Sequence, residues 1–137
     1  MHPSERVYTR WPDVEGYCTP LSAPAGSRIE LRAASRADTF SVEVARWALE
    51  PEVVWSTSGV RADDHPVPER AWETGCGWPV AVEIPTDDSW PSGFYEVTLR
   101  ADDAEGSQVA SQAFFVVRGP EPRHPALLVL ATNTYNA

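Results

Sequence analysis

The sequence has no lysine. All 11 of its basic residues are arginines, set against 20 aspartates and glutamates, for a formal charge of −9. A surface this acidic repels a nucleic-acid backbone or an anionic bilayer, so neither is expected as a partner. No apolar run approaches the ~20 residues of a membrane-spanning helix. The opening stretch, Met1 to Asp13, lacks the apolar core of a secretory signal, so a cytoplasmic setting is the expectation. Cysteine is scarce as well, with only Cys18 and Cys76. An even count permits a disulfide, but in a reducing compartment the two read as small buried hydrophobes. A phosphate-cradling glycine loop, a zinc-spaced histidine pair and a serine nucleophile elbow are all missing.

Proline is what the chain has in excess: 13 residues, against eight glycines. They are spread from end to end and break every stretch long enough for a three-turn helix. Inside a helix each removes a donor and clashes with the preceding turn, at about 3 kcal/mol. Short strands joined by turns remain.

Period-2 alternation places those strands. Ile29, Leu31 and Ala33 share one face of 28–35. Phe40, Val42 and Val44 share one face of 39–47, and Val80, Val82 and Ile84 one face of the strand that Pro85 ends. Tyr95, Val97, Leu99 and Ala101 oppose Phe94, Glu96, Thr98 and Arg100. Ala113, Phe115 and Val117 oppose Phe114 and Val116, a run apolar on both faces. Glu52 to Thr57 reads as a weaker strand before a polar loop, 58–68. The polar turn from Asp102 to Ser107 joins 94–101 to 108–118 as an antiparallel hairpin. Strands at this spacing, each with one polar face, predict an all-β fold: an antiparallel, immunoglobulin-like β-sandwich.

The tail departs from this pattern. A proline-rich linker, 119–125, leads to Ala126-Leu127-Leu128-Val129-Leu130-Ala131, apolar without alternation, as in a strand buried on both faces. It looks like the first strand of an absent α/β domain. Left uncovered, it would add to an edge of its own sandwich or pair with another chain, and the stiff linker favours the second outcome. The expected organisation is a lead-in over 1–27, the sandwich over 28–118, the linker over 119–125 and the first strand of a catalytic domain over 126–137.

Candidate chemistry is thin. Asp63-Asp64-His65 could offer metal ligands, yet adjacent ligands in one loop do not make a closed site, which needs partners from several elements. Asp87-Asp88 and Asp102-Asp103 fall at expected turns, where aspartate bonds its own backbone. His2 and His124 have no partner pattern. Cys76, between Gly75 and Gly77, reads as a tight turn leading into a strand rather than a nucleophile. The predicted catalytic, cofactor and metal residues are therefore none. Six tryptophans raise a second possibility, an aromatic binding platform, for which Trp72 in the polar loop is the candidate. Trp47, Trp78 and Trp90 stand at strand ends, where a ring more often seals a core.

Several segments, in order, carry a resemblance. They are Gly16-Tyr17, Thr39-Phe40-Ser41-Val42-Glu43-Val44 with Arg46, Trp78-Pro79-Val80, Trp90-Pro91-Ser92-Gly93-Phe94-Tyr95, Phe115-Val116-Val117-Arg118, and the Leu-Leu-Val-Leu run with Asn133-Thr134-Tyr135-Asn136-Ala137. Together they resemble the N-terminal part of the large (beta) subunit of N,N-dimethylformamidase and its relatives, over roughly 16–137. The resemblance implies a sandwich followed by a glutamine-amidotransferase-like α/β domain that hydrolyses an amide C–N bond. It also implies an iron, held in that later domain by two tyrosines and a glutamate. Tyr135 matches none of those ligands, so no cofactor is expected in this chain.

The reading that follows is a non-catalytic sandwich module of a dimethylformamidase-like hydrolase. Its implied partners are the catalytic α/β domain of the same polypeptide and other subunits. Trp78, Trp90, Pro91, Ser92, Gly93 and Tyr95 are its expected structural residues, with Tyr95 delivered to the core and its hydroxyl bonded to nearby backbone. The alternative is a free-standing sandwich that binds a glycan or protein through exposed aromatics. A metal-dependent enzyme built on the Asp63-Asp64-His65 loop is a third class.

Overall fold

The computed structural model describes residues 13–102 and 106–119, apart from the side chain of Trp72. Eight strands follow in chain order: β1 (Val14–Thr19), β2 (Ser22–Pro24), β3 (Arg28–Ser35), β4 (Phe40–Trp47), β5 (Pro51–Val60), β6 (Val80–Pro85), β7 (Gly93–Asp102) and β8 (Gln108–Arg118). A single helical turn, α1 (Ala71–Thr74), interrupts the loop between β5 and β6. Among the described residues no helix is long and apolar enough to cross a membrane.

The strands form two sheets, in the orders β1-β3-β6 and β2-β8-β7-β4-β5. The fold is an all-β sandwich. Its pairs are antiparallel with one exception: β2 runs parallel to β8, with Ala23 beside Val117, so the larger sheet is mixed. A cis Thr19–Pro20 peptide lies between β1 and β2, where the chain leaves one sheet for the other.

Alternation works here because each sheet needs to bury only one face. Ile29 and Leu31 of β3, Val42 and Val44 of β4, Tyr95, Val97 and Leu99 of β7, and Phe115 of β8 all belong to one buried cluster. Phe40, Ala101, Ala113 and Val117 extend it. The β7–β8 hairpin pairs in one unbroken register from Gly93–Val117 to Asp102–Gln108. Three residues of its connecting turn, 103–105, lie outside the described residues, as do 1–12, the apolar run 126–131 and all of the linker except Gly119.

Four expectations are corrected. Residues 14–24 are not a lead-in: β1 pairs along β3, and Val14 and Cys18 are core. The segment read as Glu52 to Thr57 is a ten-residue strand, β5, with register shifts against β4 that interrupt its alternation. Val80 is 41% exposed instead of inward. Leu31 pairs with Val82 and Arg32 with Val80, leaving Ala81 as the extra residue of a bulge that turns Val80 outward. Trp47, expected to seal the core, is 46% exposed.

Candidate functional site

The strand end at Trp90 to Tyr95 organises one end of the core. Asp87 starts the turn: its carboxylate accepts the backbone N–H of Ser89 at 2.8 Å, and its carbonyl accepts that of Trp90 at 2.9 Å. The Ser89 contact holds the Asp87 carboxyl below its ordinary range. Gly93 then opens β7 with φ +151°, in a region a side chain resists. A Cβ there would also meet Arg46 Nε at 3.4 Å.

Two residues later Tyr95 is fully buried, and its hydroxyl donates to the carbonyl of Pro91 at 2.5 Å. Its ring lies between two others, 5.4 Å from Trp90 at 14° and 5.3 Å from Phe115 at 4°. Such ring pairs contribute about 0.5–1.5 kcal/mol each beyond the area they bury. Arg46, paired with Tyr95 in the sheet register, donates to the carbonyl of Ser92 at 3.1 Å. Burial pushes the Tyr95 hydroxyl up, and the guanidinium of Arg46 pulls against that. Arg46 Nε is itself buried without a hydrogen bond.

Trp78 does comparable work for the smaller sheet. It is 5% exposed. Its indole N–H donates to the carbonyl of Pro66 at 3.1 Å, tying down the long β5–β6 loop. Its backbone N–H donates to the Tyr17 hydroxyl at 3.2 Å, and the two rings are tilted at 5.8 Å. Arg32 donates to the Trp78 carbonyl at 2.8 Å. Gly75 and Gly77, both at positive φ, bend the chain around Cys76 just before this anchor.

The Asp63-Asp64-His65 loop borders an open cleft with Ser35, Arg36, Asp38 and Arg61. Its backbone is pinned by the Ser35 N–H, which donates to the Asp63 carbonyl at 3.0 Å. Arg36 reaches both Asp64, at 3.9 Å, and Asp13, at 3.7 Å. These are solvent-exposed pairs of mixed sign, worth little to stability. Among the described residues no three His, Cys, Asp or Glu side chains converge as metal ligands.

Cys18 and Cys76 are free thiols. Cys18 is buried in the core, which pushes its thiol up to about 12. Cys76 is raised by partial burial and by the charge of Glu15. Neither environment makes a reactive thiolate, which needs a depressed pKa. Trp72 sits on α1, with its side chain outside the described residues, as are His2, His124 and Tyr135.

Sequence reasoning missed the β4–β5 hairpin. Trp47, Leu49 and Val53 are all exposed there, Leu49 completely. A strand-end tryptophan and a turn leucine give no alternation from which exposure could be read.

A family model described as N,N-dimethylformamidase beta subunit-like, C-terminal, matches residues 39–137. The match takes in β4 to β8 and leaves β1 to β3 outside it. Its description places the region as C-terminal, where the resemblance read from the sequence placed the chain in the N-terminal part of the subunit; the family is the same in both. No curated protein matches the chain.

Proposed function

The chain belongs to the N,N-dimethylformamidase beta subunit-like family, and from that premise we propose that it is a non-catalytic β-sandwich module of an amide-hydrolysing enzyme of that kind. Its role is to pack against a catalytic α/β domain of the same polypeptide and to help subunits assemble. The family match over 39–137 is the observation that carries this reading. The placement of titratable groups supports it. The aromatic stack and the Trp78 anchor serve packing and loop tethering. In the polar cleft beside Ser35, Arg36 pairs with Asp64.

The iron implied by the family does not fit the described residues. Tyr17 and Tyr95 both have their hydroxyls engaged with backbone, of Trp78 and Pro91 respectively. No step of amide hydrolysis is routed through this chain. Two free thiols suit a reducing, cytoplasmic setting.

The test is the purified 137-residue chain, assayed for iron content and for hydrolysis of N,N-dimethylformamide. The expected result is no stoichiometric iron and no turnover. Turnover that persists through purification to homogeneity overturns the proposal.

A further inference from the structure

We propose that the outer face of the β4–β5 hairpin, built on Ala45, Trp47, Leu49 and Val53 and bordered by Glu50 and Glu96, binds an amphipathic helix of a separate subunit whose apolar stripe is flanked by arginine or lysine. The inference rests on the assembly role above and names the surface and the chemistry of its partner.

The face is defined by register. Val42 and Val44 point into the core, so Ala45 and Trp47, offset from them by an odd number of residues, point away from it. Ala45 lies opposite Val53 on one side and Glu96 on the other, which puts all three on the outer face. Trp47 is 46% exposed, Val53 55% and Leu49, in the turn, wholly exposed. Ala45 is the smallest of the set and lies between Trp47 along β4 and Val53 across the pair. Large apolar side chains grouped around a small one mark a contact surface rather than scattered exposure, and a tryptophan is the residue type that most often anchors one.

Charge selects the occupant. From Trp47 to Val60 the only charged residues are Glu50 and Glu52. Glu50 is exposed in the turn, and Glu96 borders Ala45 from β7. Glu52 stands opposite Arg46, on the inner side. Arg46 brings no positive charge to the outer face, because its guanidinium is turned to the Ser92 carbonyl. Farther along that face Arg100 is held by Glu43 at 3.6 Å, and Arg118 lies two strands away at the end of β8. An apolar centre with an acidic border complements an apolar stripe with a basic one. A second copy of this chain fits worse. A two-fold contact centred here sets Glu50 and Glu96 against their counterparts, on chains that each carry −9. Addition of a strand to β5 is hindered too. That strand is the sheet's edge, but it carries one extra residue at Val54 and another between Thr57 and Val60, and bulges of this kind bend an edge away from further pairing. The face of the hairpin remains, and a helix laid on a face meets it through residues three and four apart.

The test is binding of two fluorescent helical peptides to the full 137-residue chain, followed by anisotropy. One has leucines on one face and lysines on the other; its counterpart has glutamate in place of every lysine. The lysine peptide is expected to bind saturably and the glutamate peptide at least about tenfold more weakly. Leu49→Ser and Trp47→Ser should each weaken the lysine peptide by about tenfold or more. Glu50→Lys/Glu96→Lys should reverse the preference between the two peptides. Should Trp47→Ser lose the cooperative unfolding of the parent chain, Leu49→Ser serves alone, because a wholly exposed side chain is not needed for folding. Failure of the lysine peptide to bind overturns the proposal. So does binding that the variants leave unchanged, which is the general attraction of an acidic protein for a cation. Mass doubling in analytical ultracentrifugation that Leu49→Ser abolishes also overturns it, assigning the face to a second copy. None of these outcomes bears on turnover or iron content, so the family-level role is judged separately.

Discussion

The Tyr95 hydroxyl donates to the carbonyl of Pro91, four residues earlier, across the turn that starts β7. One side chain thus fills the core and fastens the turn that delivers it. The two contributions separate by substitution. Tyr95→Phe keeps the stacks with Trp90 and Phe115 and loses the hydrogen bond, which should lower stability by about 1 kcal/mol in urea unfolding. Tyr95→Ala loses the ring as well, and about 3–5 kcal/mol is expected. A loss below about 1 kcal/mol for the alanine variant would show that the ring is not part of the core.

Gly93 and Arg46 meet at the same turn. Gly93→Ala imposes a side chain at φ +151° and brings a Cβ to 3.4 Å from Arg46 Nε. A cost of about 1–3 kcal/mol is expected from backbone strain alone. Arg46→Ala in the same background should relieve only the contact, so most of the loss remains. Full recovery in the double variant, measured by denaturant midpoint, would locate the cost in the contact and not the backbone.

How far these features were legible in the sequence depends on whether alternation ran undisturbed. It did over Phe40–Val44 of β4, where one residue in two enters the core, and less cleanly in β3, β7 and β8, where runs such as Ala113-Phe114-Phe115 are buried in succession. It failed at Val80 because a bulge at Ala81 reverses the faces, and bulges leave no mark on apolar spacing. It failed at Trp47 because the residue continues the outward face of β4 past the point where the core ends. β1 was missed for another reason: Val-Glu-Gly-Tyr-Cys-Thr carries few apolar side chains, and Gly16 takes a position where the backbone comes close to β3. A Cβ on Gly16 would lie 2.9 Å from the Arg32 carbonyl oxygen. β2, three residues ending in proline, is held by pairing with β8, nearly a hundred residues away, which no local pattern reveals. The Tyr95 turn was readable because Trp-Pro-Ser-Gly-x-Tyr puts its turn chemistry and its core aromatic within six residues.

Cys18 makes stability fall at alkaline pH. Its folded thiol is pushed from 9.0 up to about 12 by burial. Between those values the unfolded chain gives up its proton and the folded chain keeps it, so the folded state binds more protons. Stability is then full below about pH 9 and declines by up to about 1.4 kcal/mol per pH unit towards pH 12. Cys18→Ala should flatten this part of the curve, even if it lowers stability at neutral pH. An unchanged alkaline slope in urea midpoints taken across that range would mean that the thiol is not the group responsible. At pH 8, a thiol reagent should modify Cys76 well before Cys18, which is sealed in the core.

Every described strand ends by Arg118, and β8 is held on both sides, by β7 and by β2. A chain shortened to 1–118 should therefore keep a β-rich circular dichroism spectrum and a single cooperative unfolding transition. Non-cooperative melting of the shortened chain would instead make 119–137 an integral part of the sandwich.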